Sequence, residues 1–125
     1  MPGPPGTIFI SAPGGRIFWR VGLQGAVERT DDAGKSWKPQ KSGVSADLIA
    51  GSAPSKKICW LVGRHGTVLS TKDGGKHWRK LAPPVDAELA SVRATDELTA
   101  LVSDVAGRTY QTADGGKTWT PVNKQ

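Results

Sequence analysis

The sequence predicts an all-β protein made of three four-stranded β-propeller blades, and three observations carry that prediction. One unit of text occurs three times at a fixed spacing of 41 residues. Each unit breaks into four short apolar stretches, rich in β-branched and aromatic residues and separated by Gly, Pro or Asp, which is the pattern of short strands joined by turns. Apolar residues at i, i+3, i+4 and i+7 occur only in isolated windows such as Leu98, Leu101, Val102 and Val105, and never at equivalent positions of all three units. Helical solenoids of similar period are therefore set aside, whereas four strands at a period of about 40–45 residues fit a propeller blade.

The repeat is anchored by Thr30–Trp37 (TDDAGKSW), Thr71–Trp78 (TKDGGKHW) and Thr112–Trp119 (TADGGKTW), which align without a gap. The same offset carries Trp19 onto Trp60 and Leu101, Val21 onto Val62, Gly25 onto Gly66 and Gly107, and Ile8 onto Ile49 and Ala90. The whole unit thus repeats, not only the motif. Blade one is expected over 7–43, blade two over 44–84 and blade three over 85–122, with a linker-like start at 1–6 and a tail at 123–125. In the second unit the strands are expected near Leu48–Ser52, Ile58–Val62, Thr67–Thr71 and Trp78–Leu81.

The motif has a physical purpose. The Asp at its third position (Asp32, Asp73, Asp114) can turn its carboxylate onto backbone N–H groups of its own loop, as Asx-turns do. The Gly two residues later (Gly34, Gly75, Gly116) supplies a positive φ at little cost. The Trp at the eighth position (Trp37, Trp78, Trp119) is expected to cover the loop and bury about 150–250 Å². Thr30, Thr71 and Thr112 open the three copies. These residues read as keepers of the fold rather than ligand contacts. Lys35, Lys76 and Lys117 share the sixth position and read as solvated turn residues rather than a phosphate-binding ring.

The pattern S/T-x-D-x-G-x-x-W resembles the Asp-box, or bacterial neuraminidase repeat, and all three copies match every defined position. With Trp60-Leu61-Val62-Gly63-Arg64-His65-Gly66-Thr67 leading into the second box, the chain is most similar to the photosystem II stability and assembly factor group of Asp-box propellers and their relatives in non-photosynthetic bacteria. The likeness covers about residues 7–122. It implies that the Asp-box turns sit at the blade periphery, opposite the usual ligand face, and that the chain is a non-enzymatic scaffold recognising a protein partner. It also implies export, to the periplasm or cell surface, although Met1–Gly6 has neither the charged segment nor the apolar stretch of a secretory signal.

Sialidases also carry Asp-boxes, so a carbohydrate-binding or sialidase-like glycosidase module is the alternative. The resemblance implies that such a site needs an arginine cluster, a tyrosine nucleophile with a glutamate partner, and an acidic general acid. The sole tyrosine, Tyr110, stands where the other units have Leu69 and Glu28, a position expected on a blade surface. Asp47 and Glu88 are repeat-equivalent carboxylates that could approach the channel mouth, but glycosidase chemistry requires two that converge on one bond. No Ser/His/Asp arrangement, P-loop or zinc spacing is present. No catalytic residue, metal or cofactor is expected.

Binding candidates come from the turns between second and third strands, Leu23-Gln24, Arg64-His65 and Val105-Ala106, of which only the second is charged. Arg64 and His65 are the leading contacts, joined by Arg20, which stands where the other units have Leu61 and Val102. The three units carry formal charges of +3, +5 and −2, which favours an acidic protein partner, an anionic glycan or an anionic lipid surface docking on the middle blade. Nucleic acid is disfavoured, because the basic residues form no recognised binding motif and the Trp residues are committed to the boxes.

Composition sets the outer limits. With 37% hydrophobic and 22% charged residues, 16 Gly and 9 Pro, the chain is too apolar for disorder and rich in turn formers. No apolar run approaches the roughly 18 residues of a membrane helix. Cys59 is the only cysteine, which excludes an intrachain disulfide, and it reads as a buried strand residue.

Assembly follows from blade number. Closed propellers have about four to eight blades, and neither terminal unit reads as a polar cap, since Phe18, Trp19 and Val21 and also Leu101 and Val102 are apolar. A homodimer that completes a six-bladed ring is therefore expected.

Overall fold

The computed structural model describes residues 7–83 and 87–122. The linker-like start, the three-residue tail and the boundary expected at 84/85 lie outside the described residues. Twelve strands form three antiparallel sheets of four, each in simple sequential order. Blade one holds β1 (Ile8–Ser11), β2 (Phe18–Val21), β3 (Val27–Thr30) and β4 (Lys38–Gln40). Blade two holds β5 (Leu48–Ser52), β6 (Cys59–Gly63), β7 (Val68–Thr71) and β8 (Arg79–Leu81). Blade three holds β9 (Leu89–Ala94), β10 (Ala100–Asp104), β11 (Thr109–Thr112) and β12 (Thr120–Val122). In blade two every strand begins within one residue of its expected start. No α-helix occurs among the described residues, so none is long and apolar enough to cross a membrane.

The 41-residue offset slips by one in the first strands. In blade one Ile8 pairs with Val21. In blade two Ala50 pairs with Val62, across a register shift between Leu48 and Ala50. Blade three has the matching irregularity, with Ser91 opposite Ser103 and Leu89 opposite Asp104. Ile49 and Ala90 are thus bulge residues and not the spatial counterparts of Ile8, a correction that gapless alignment hides because a bulge adds one residue to one strand.

The first strands β1, β5 and β9 lie side by side, and each blade leans on the next: β2 touches β5, and β6 touches β9. Two apolar seams result. The first gathers Trp19, Val21 and Val27 of blade one with Cys59, Leu61 and Leu69 of blade two. The second gathers Trp60, Val62, Val68 and Leu81 of blade two with Ala100 and Val102 of blade three. Alternate residues of a strand point to opposite faces, so β6 serves both seams and is buried along its whole length. Burial pushes the Cys59 thiol well above its ordinary range, which leaves it an inert packing group.

Candidate functional site

Each blade has two chemically distinct ends. At one end the Asp-box, between third and fourth strands, is bonded to the hairpin between first and second strands. Ala33, Gly74 and Gly115 donate their N–H groups to the carbonyls of Arg16, Lys57 and Leu98 at 2.9–3.0 Å. Within the box, Thr30, Thr71 and Thr112 donate to the Oδ1 of Asp32, Asp73 and Asp114 at 2.6, 2.8 and 2.8 Å. The same threonine oxygens accept the N–H of Gly34, Gly75 and Gly116.

The aspartates accept the backbone N–H of Ser36, His77 and Thr118. They also bond those residues' side chains through Oδ2 at 2.6–2.7 Å. The seventh motif position is therefore a partner of the Asp, which pattern reading missed because Ser, His and Thr share only a polar atom at the right reach. Bonds to Ser36 and Thr30 hold the Asp32 carboxyl well below the usual range. Bonds from His77 do the same for Asp73, and bonds from Thr118 lower Asp114 to about 2. All three are committed carboxylates. Lys35, Lys76 and Lys117 are exposed.

The eighth-position tryptophans depart from expectation. They are half-buried, while the fully buried indoles are Trp19 and Trp60 in the second strands. Trp78 packs edge-on against Trp19 at 6.5 Å and Trp119 against Trp60 at 6.4 Å, so these two box tryptophans clamp the preceding blade rather than covering their own loops, whereas Trp37 meets Phe9 and Arg20 of its own blade. The physical reason is that the box lies at the seam, where the neighbouring blade offers more apolar surface than the loop does.

At the opposite end, the turns between second and third strands are 3-10 turns over Leu23–Gly25 and Arg64–Gly66, with Gln24 and His65 at positive φ. Each is pinned by a carboxylate from the next blade: Asp47 accepts the N–H of Gln24 and Glu88 that of His65. In blade three its own Asp104 takes that role, accepting the N–H of Ala106 and Arg108. Arg64 bridges Asp47 and Glu88 at 3.3 and 3.4 Å, and His65 lies 3.8 Å from Glu88. The structure thus brings Arg64, His65, Asp47 and Glu88 together on one rim. The Arg64 charge there already faces two carboxylates.

Two apolar residues complete the rim. Leu23 and Val105 occupy the turn position of Arg64 in the other blades and are 54% and 69% exposed. A single sequence shows Leu and Val but not their exposure.

Arg20 lies elsewhere. Its partners are Glu28, at 2.7 Å, and the Trp37 ring, at 4.3 Å, on the outer face of blade one. Tyr110 pairs with Val102 in register and so faces blade two, on a blade surface as expected. Among the described residues no group of three or more His, Cys, Asp or Glu could hold a metal ion.

Sequentially ordered four-stranded blades, each closed by the same Thr–Asp–Gly turn and stacked face to face, define an Asp-box β-propeller. The chain belongs to the Photosynthesis system II assembly factor YCF48 family, whose sequence profile matches residues 9–125. No curated protein sequence matches it. Among solved structures, YCF48 from Cyanidioschyzon merolae is 23% identical with a TM-score of 0.81, covering 99% of this chain and 42% of that one. A structure described as YCF48 bound to D1 peptide is 21% identical with a TM-score of 0.78, covering 95% of this chain and 40% of the other. An ancestral GH74 enzyme is 12% identical with a TM-score of 0.65, over 92% of this chain and 18% of its own. The chain spans about two-fifths of the YCF48 structures it resembles.

Proposed function

We propose that this chain is a non-enzymatic binding module that docks a segment of another protein across the rim of its second-to-third-strand turns. The carrying observation is the row of repeat-equivalent residues Leu23, Arg64 and Val105: two large apolar side chains, more than half exposed, on either side of a cation. Exposed apolar groups framed by polar ones are typical of protein-contact surfaces. Family membership supports the reading, as does the relative described as bound to D1 peptide.

Asp47 and Glu88 neutralise Arg64 locally, which moves the expected recognition from charge toward apolar contact, with acidic residues in the partner as a secondary preference. The non-enzymatic reading is supported by the same engagement of Asp47 and Glu88 and by Tyr110 standing on the blade face turned toward blade two, away from those carboxylates' rim. The compartment proposed is the periplasm or cell surface, on the resemblance to exported Asp-box proteins.

The test is to probe arrays of overlapping peptides and of glycans with the purified chain. Capture of peptides, lost in a Leu23→Ser/Val105→Ser variant whose melting temperature is unchanged, is expected. Capture of glycans alone, or peptide capture indifferent to both substitutions, would overturn the assignment.

A further inference from the structure

The two outermost faces differ from the interior seams at matching slots. On the outer face of blade one, Arg20 and Glu28 occupy the positions that Leu61 and Leu69 hold in blade two, where both are fully buried against blade one. They form an ion pair with the guanidinium over Trp37. On the outer face of blade three, Ser103 and Thr109 replace Val62 and Val68 of blade two, and their hydroxyls lie 3.3 Å apart. This corrects in part the expectation that the terminal units keep apolar outer faces: Phe18 and Leu101 alternate onto those faces beside Arg20 and Ser103, but Trp19, Val21 and Val102 do not. Trp19 and Val21 point into the first seam and Val102 into the second, because the two faces of a strand alternate and only the inner one needed to stay apolar.

The blade-to-blade step seen twice inside the chain says what each outer face would meet. In the interior, the slots of Leu61 and Leu69 oppose Trp19, Val21 and Val27. Repeating that step at the ends sets the Arg20–Glu28 pair against Ser103 and Thr109. Apolar faces apolar in the interior, and an ion pair faces two hydroxyls at the ends.

Shape agrees. Leu101 stands where the interior blades have Trp19 and Trp60, and the face beside it is hollowed by a cavity of about 350 Å³. Blade one correspondingly projects Phe9, 53% exposed and edge-on to Trp37 at 6.2 Å, where blade two has Gly51. Arg93, exposed beside the hollow, is placed to meet the Phe9 ring. Net charge agrees too, with −2 on unit three and +3 on unit one.

We infer that the outer face of blade three binds the outer face of blade one of a second copy of this chain, and that two such contacts close a six-bladed ring. The contact is head-to-tail, and such a contact gives a closed assembly only if its rotation returns to the start. Six blades lie within the four to eight of closed propellers. The inference does not depend on what the rim binds.

Sedimentation equilibrium of the chain tests it. A mass of about 26 kDa is expected, twice the 13.2 kDa of one copy. Arg20→Leu/Glu28→Leu sets two apolar side chains against the Ser103 and Thr109 hydroxyls, removes every polar partner they could gain across the contact, and should weaken association about tenfold or more, as burying under-satisfied polar groups does. Ser103→Val/Thr109→Val should do the same from the other side. The quadruple variant recreates an interior seam and should restore the 26 kDa species. Circular dichroism of each variant separates loss of contact from loss of fold. A folded wild type of 13 kDa throughout, an open-ended series of larger masses, or a folded quadruple variant that stays monomeric would each overturn the inference.

Discussion

The interior seams and the outer faces of this chain are built from the same repeat, yet they solve opposite problems. Along the seams Trp19 and Trp60 are wholly buried and clamped by Trp78 and Trp119 of the following blade. Gly75 and Gly116 press so closely on the preceding blade that an added Cβ would lie 2.0 Å from Gln40 and 2.6 Å from Leu81. At the outer face of blade one the same motif residues touch no other blade of the chain: Gly34 is exposed, and half-buried Trp37 is met by Phe9 and Arg20 of its own blade. A repeat unit is thus defined by its turns, whereas its faces are adjusted to what covers them.

The hardest break in that comparison is at the seam's centre. Trp60→Ala should destabilise the fold by about 3–5 kcal/mol, the usual cost of emptying a large buried aromatic site. Leu101→Ala, at the equivalent slot on the outer face of blade three, should cost well under half as much in the same denaturant titration run dilute enough to keep the chain monomeric. Equal costs would mean that the seams do not carry the fold.

Next come the box tryptophans. Trp78→Ala loses half-buried area, the edge-on contact with Trp19 and the hydrogen bond to Gln40, a loss of about 2–3 kcal/mol. Trp37→Ala should cost less, about 1–2 kcal/mol, since it forfeits only contacts within its own blade, the Arg20 cation–π contact and the edge of Phe9. A Trp37 variant as damaged as the Trp78 variant would show that the motif acts within its own loop.

Acid separates turn from seam. The folded Asp32 and Asp114 carboxyls titrate below their unfolded counterparts, near pH 4, and Asp114 does so at about 2. Their contribution is therefore fully present above about pH 4 and is lost as pH falls toward 2. Asp32→Asn and Asp114→Asn should lower the neutral-pH melting temperature by a few degrees and flatten its acid decline alike, because the bonds involved are internal to each box. A flattened decline in only one of them would tie the box to its seam.

The smallest change is a gain. Ala33 holds φ 61 where Gly74 and Gly115 hold φ 74 and 76. Ala33→Gly should stabilise by about 0.5–1 kcal/mol, the relief of a left-handed L-residue less the added freedom of the unfolded chain. A loss of stability would show that the turn is not strained.

Much of this was legible in the text. The 41-residue period, the Thr–Asp–Gly turns and the strands of blade two are local matters, because a carboxylate reaching N–H groups four residues away needs nothing from the rest of the molecule. Even the seams left a trace: Cys59-Trp60-Leu61-Val62 is apolar at every position because both faces are covered, whereas Phe18-Trp19-Arg20-Val21 breaks at Arg20. That trace names which face is open only once the neighbours are in place.

What the sequence determined by itself, then, is the unit: its length, its turns, its four strands and its family. Tertiary structure alone decided the partners across units. It withdrew Arg20 from the Arg64–His65 rim, because adjacent strand residues face opposite ways and Arg20 falls on the face turned away from blade two, against Glu28 and Trp37. It set Asp47 and Glu88 on the turns of the preceding blades, and it made second-strand rather than box tryptophans the deepest core. These are contacts between residues one repeat apart, and their identity depends on the angle at which one blade meets the next, which no single unit encodes.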